Sequence, residues 1–191
     1  MSGRSGGHLT GRLTGWLSHP GRHVLLLGVL ALVLTACTQA SADPQPAVMR
    51  TTPPPWPAPA DAVAHAEAAG LTVYKGEPRK VPHGVVRVHV IVDGRAVPVP
   101  AQLGRTRQGE VAALSTPDRF GRVQVLRDGH DEMTLGQFFI LWGVRFDERC
   151  LGSACATGSG GLRVYVDGQP SPVAPGDVPL RDGTTVVVSL R

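Results

Sequence analysis

The segment Thr134–Gly143 constrains the fold most, because it is the best amphipathic helix in a chain otherwise patterned for short strands. Thr134 followed by Gln137 has the form of a capping box, and Gly143 offers a stop. Leu135, Phe138, Phe139 and Trp142 fall on one face at helical spacing. That face reads as core, with stacking of a cofactor on its aromatics as the alternative. Around it the period changes from helical to alternating. Val86, Val88, Val90 and Val92 alternate with Arg87, His89 and Ile91, and Asp93-Gly94 makes a hairpin turn into Ala96–Val99. Val111–Leu114 and Arg122–Leu126 read as strands on either side of a turn at Pro117–Gly121, and Leu162–Val166 and Thr184–Leu190 close the chain. Upstream, Asp61 and Gly70 bracket a short alanine-rich helix. This order predicts one α+β domain over 61–191, a small mixed β-sheet packed on one main helix. A β-sandwich is the rival architecture, and in it Leu135–Trp142 would have no natural place.

A helix followed by a strand, a VDGQP turn, a PLRDG turn and a closing strand resembles β-grasp modules, in which a mixed sheet wraps one helix. A second likeness covers most of the domain. The segments VIVDGRAVPVPAQLG, LSTPDRFGRVQV, MTLGQFFILWGVRF and VYVDGQP…VPLRDG resemble an uncharacterised group of bacterial extracytoplasmic proteins with the pattern VFVDGKPVTVPAxIG, LHTHDxSGxIHV, FTLGQFFxxWG and YVNGKP…PL. The resemblance implies candidate metal ligands at the three histidines of that pattern. Here those positions are Ser115, Pro117 and Gln124, none a good ligand for a transition metal. The expectation is a chain with no metal and no cofactor.

The amino-terminal region speaks to location. The apolar run Val24–Leu34 follows Arg4, Arg12, Arg22 and His23, with no acidic residue before Cys37, and so has the basic and apolar parts of a secretory signal. As a helix the run rises about 16 Å against a hydrocarbon core of roughly 30 Å, too little for a span. An uncleaved anchor that recruits Trp16 and Leu17 is the alternative, although polar residues from Ser18 to His23 interrupt it. Leu34-Thr35-Ala36-Cys37 resembles the lipobox of bacterial lipoproteins. That resemblance implies diacylglycerol on the Cys37 sulfur, cleavage before it, and acylation of the new amino terminus. The expected organisation is a signal peptide over 1–36, a lipid-anchored tether over 37–60 and the domain on the outer face of the cytoplasmic membrane. Pro44, Pro46 and the cluster Pro53–Pro59 favour extended polyproline geometry for the tether. Trp56 within it reads as exposed or interfacial, or as an anchor for a partner.

Removing the signal changes the charge. Of 19 basic and 15 acidic side chains, three arginines and no acid precede Cys37, so the remainder is nearly neutral and gives little support to nucleic-acid binding. Cys150 and Cys155 read as a local disulfide, with free thiols or a redox or metal role as alternatives. His89 stands alone on a strand, and His130 sits among Asp128, Asp131 and Glu132 just before the helix cap. No nucleophile elbow or phosphate loop occurs. No catalytic residue is assigned. Two readings follow: an accessory or binding module for an envelope protein or small ligand, or an envelope enzyme whose first candidates are His89, His130 and Asp118.

Overall fold

The two Asp-Gly turns set the strand pairing. In the computed structural model Asp93 and Gly94 have φ of 50° and 75°, and Asp167 and Gly168 have 50° and 81°, the double positive φ of the tight turns that match strand twist. The structure describes residues 47–76, 78, 83–127, 132–157 and 161–191. Along them run α1 (Ala62–Ala68), β1 (Val73–Lys75), β2 (His83–Val92), β3 (Arg95–Val97), β4 (Glu110–Ala112), β5 (Leu114–Ser115) and β6 (Arg122–Leu126). There follow α2 (Leu135–Trp142), β7 (Cys150–Leu151), β8 (Ala154–Cys155), β9 (Leu162–Val166), β10 (Gln169–Pro170) and β11 (Thr185–Leu190).

One sheet has the order β10-β9-β11-β2-β6-β5. Its centre is a parallel pair, β2 beside β11, in register from Arg87 opposite Thr185 to Val92 opposite Leu190. β9 lies antiparallel on the other side of β11. The long β2 is shared: its first half pairs with β6, and its last residues pair with β3 across the first Asp-Gly turn. The other sheets among the described residues are two-stranded, β1 with β4 and β7 with β8. The architecture is thus α+β, as the sequence predicts.

Alternation makes one face of the main sheet dry. Val86, Val88, Val90 and Val92 of β2, Val186, Val188 and Leu190 of β11, and Leu162 and Val164 of β9 are all buried, in one cluster with Leu135, Phe138, Phe139 and Trp142 of α2. The helix face is therefore core, and the sheet side that a sandwich would cover with further strands shares its cluster with the helix. Both halves of the capping box form, Thr134 N–H donating to Gln137 Oε1 (3.0 Å) and Gln137 N–H to Thr134 Oγ1 (3.3 Å). Gln137 does more than cap: its Nε2 donates to the Ala69 carbonyl at 3.0 Å and ties α2 to the end of α1.

The expected tether needs correction. From Arg50 onward the proline-rich stretch is part of the fold, and Trp56 is 2% exposed. Prolines carry no N–H, so the strap is held by the other residues in it. Arg50 N–H donates to Gly143 O (2.8 Å), Arg145 N–H to Arg50 O (3.0 Å) and Ser153 N–H to Thr52 O (3.1 Å). Trp56 Nε1 donates to Thr52 O at 2.8 Å, and Trp142 Nε1 donates to Trp56 O at 3.1 Å. The two indoles meet edge to face, centroids 5.8 Å apart. Gly152 completes the seat, because a Cβ there would collide with the Trp56 ring and the Thr52 carbonyl.

Trp56→Ala should therefore cost about 3 to 5 kcal/mol, as should Phe138→Ala or Phe139→Ala, whereas Gln137→Ala should cost about 1 to 2 kcal/mol. Denaturant titration checks this. A Trp56→Ala protein as stable as its parent would show that the strap is no part of the folded unit.

Candidate functional site

Of the residues that could do acid–base work, the structure describes His89 and Asp118. His89 is exposed on β2, on the side of the sheet away from α2, opposite Val187. His130, with Asp128, Gly129 and Asp131, lies outside the described residues. Asp118 belongs to a turn: Oδ1 accepts from the Phe120 N–H (2.8 Å) and Oδ2 from Arg122 Nε (2.6 Å). The Phe120 amide, aided by the Arg122 guanidinium, holds its carboxyl below the usual carboxylate range, so Asp118 is an ionised acceptor and a poor proton donor. Glu132 is likewise engaged, receiving Arg181 Nε and Nη2 at 3.0 and 3.1 Å, and its carboxyl is also held low. Among the described residues no group of three His, Cys, Asp or Glu side chains could hold a metal ion.

The three pattern positions come together through the sheet. Ser115 on β5 stands in register with Gln124 on β6, and Ser115 Oγ donates to Gln124 Oε1 at 3.4 Å. Arg105 Nη2 donates to the same oxygen at 2.7 Å. A cation bound here would meet a fixed guanidinium, the wrong charge for a metal site. Pro117 contributes its backbone carbonyl, which accepts from Gln102 Nε2 at 3.5 Å. Between them Thr116 is fully buried and holds a loop: its hydroxyl donates to Pro100 O (2.6 Å) and accepts from Leu103 N–H (3.0 Å).

Cys150 and Cys155 face each other across β7 and β8, their sulfurs bonded at 2.06 Å. Closing so short a loop contributes roughly 2 kcal/mol by chain entropy. The loop has a second clasp. Asp147 Oδ1 accepts the N–H groups of Arg149 (2.9 Å) and Cys150 (2.8 Å), while Oδ2 receives Arg145 Nε at 2.8 Å. Partial burial pushes the Asp147 carboxyl up, but those two amides and the guanidinium outweigh it and hold the carboxyl below its ordinary value. Because this hairpin carries Gly152 and Ser153, which seat the strap, the pair has a structural place in the fold.

Of the hollows among the described residues, two regions bear on function. One, of about 900 Å³, lies between Ala58–Val63 and the loop Gln102–Glu110, where Arg107 and Glu110 mix charges. Glu110 is occupied by Thr106, whose hydroxyl lies 3.2 Å from its Oε2. The other is on the open sheet face. Two adjoining recesses of about 550 and 540 Å³ share Ile91 and Val187 as floor. One is edged by Arg163 and Tyr165 of β9, the other by Arg119 and Phe120, with Phe120 76% exposed. Sequence reasoning missed these edges and Arg105. The alternation that predicts β2 does imply an outward Arg87-His89-Ile91 row, but nothing local says that β9 and the Arg119-Phe120 turn border it.

No protein-family model, curated protein or solved structure matches the chain. None of the described helices is long and apolar enough to cross a membrane.

The Asp147 clasp has a signed pH dependence. A carboxyl held low in the folded state stabilises it above the ordinary carboxylate range, and that contribution is lost as pH falls through the folded value. Asp147→Asn should lower the melting temperature at neutral pH, with the gap to the parent narrowing below about pH 4. A gap that stays constant or widens in acid would show that the carboxylate charge is not what holds the hairpin.

Proposed function

We propose that this chain is a lipid-anchored extracytoplasmic binding module built on a β-grasp domain. The architecture is supported by strand order: the first long strand and the last are parallel neighbours at the centre, β6 and β9 flank them, and α2 lies in the connection between β6 and β9. The observation that carries the binding role is the contrast between the two faces of the sheet. One is sealed by α2; the other is open, recessed and edged by aromatic and cationic side chains, and no Asp or Glu side chain lines the recess that holds His89. Such a face holds a ligand without transforming it.

On this reading Cys37 carries the lipid and the protein works at the outer face of the cytoplasmic membrane. Because Arg50 is already bonded to the domain, the chain from Cys37 to that point can span at most about 45 Å. The domain thus stays close to the lipid surface, presenting its face to an envelope component rather than to nucleic acid.

Cys37→Ser should move the protein from the membrane to the soluble fraction and abolish a lipid-dependent mass increment at the amino terminus. An unchanged distribution with no such increment in the parent would contradict the anchor.

A further inference from the structure

On the binding-module reading, the geometry points to the open sheet face as a groove for one strand of a phosphodiester-linked envelope polymer. Three observations support it. First, the charged side chains at the recesses are of one sign. Arg163 and Arg191 edge one recess and Arg119 the other, His89 lies between them, and no Asp or Glu side chain lines either recess. Asp118, next to Arg119 in the chain, is engaged by Arg122, while Arg119 and Arg163 make no ion pair among the described residues.

Second, both cationic edges are arginine. A guanidinium presents a planar fork that pairs with two oxygens of one phosphate and keeps its charge at any physiological pH. Third, the floor between the edges is narrow and apolar. Ile91 and Val187 lie on adjacent strands, β9 adds Tyr165 on one side and Phe120 stands on the other. From β9 across β11 and β2 to the Arg119-Phe120 turn is about three strand spacings, roughly 14 Å. A polymer crossing the strands can set one phosphate on Arg163 and another, further along its chain, on Arg119, with His89 between them, while its uncharged glycerol or sugar units lie on the apolar floor and against the two rings. A flat bilayer would reach only the rims, and a polycarboxylate peptide would put more charge on that floor than the floor can answer.

The test uses the full chain in neutral detergent, titrated with fluorescent poly(glycerol phosphate) and followed by anisotropy. Saturable binding that weakens with added salt is expected. Arg119→Gln combined with Arg163→Gln should weaken it at least about tenfold and flatten its salt dependence, and Arg107→Gln, an equal charge loss elsewhere, should change it by less than about twofold. All three positions are exposed, so folding is not at risk. The proposal is overturned by absence of binding, by binding indifferent to the double substitution, by an equal loss in Arg107→Gln, or by tighter binding to polyglutamate, oligothymidylate or anionic vesicles. Binding in detergent does not need the lipid anchor. A protein that fractionates with membranes yet ignores the polymer sinks this inference alone, and one that binds the polymer without being lipidated sinks only the anchor.

Discussion

Everything in this domain hangs on β2 and β11 lying parallel. Parallel neighbours cannot be joined by a tight turn, so the chain between them must travel over one face of the sheet and return. That obligation places α2, with its aromatic stripe, in the connection and against the valines of β2 and β11. It also leaves the opposite face bare. The hydrophobic pattern agrees with the pairing at each step: Val86 to Val92 and Val186 to Leu190 put every second side chain on the helix side, and a slip of one residue would turn all of them outward.

The amino-terminal strap extends this core rather than hanging from it. Trp56 adds a large apolar ring beside Trp142, and the backbone groups that prolines cannot satisfy are met by Arg50, Thr52 and the indole nitrogens. The disulfide hairpin belongs to the same assembly, because its turn residues Gly152 and Ser153 form the other wall of the seat. A local cross-link of modest energy thereby helps to hold the strap against the core.

Much of this was legible in the sequence. The capping box at Thr134 and Gln137, both Asp-Gly turns and the valine alternation are local codes, and each predicts its element. Trp56 was misread because its burial depends on Trp142 and Gly152, far along the chain, while its proline neighbours signal only extended geometry. Ser115 and Gln124 could be named from a pattern, but the guanidinium that fills their meeting point comes from Arg105 in a loop with no motif. The groove was invisible for the same reason. Arg163, Val187, Ile91 and Arg119 become neighbours only through the sheet order, which no window of sequence contains.

The claim at the centre of this account is that the β2–β11 pair is the last structure to open. Native-state hydrogen exchange, read residue by residue, tests it most directly. Amides of Val88–Val92 and Val186–Leu190 should exchange slowest and together, at the free energy of global unfolding, with β5 and β10 opening earlier. Exchange of β11 well ahead of β2 would mean that the parallel pair is not the core of the fold, and that the open face it supports is not a fixed surface.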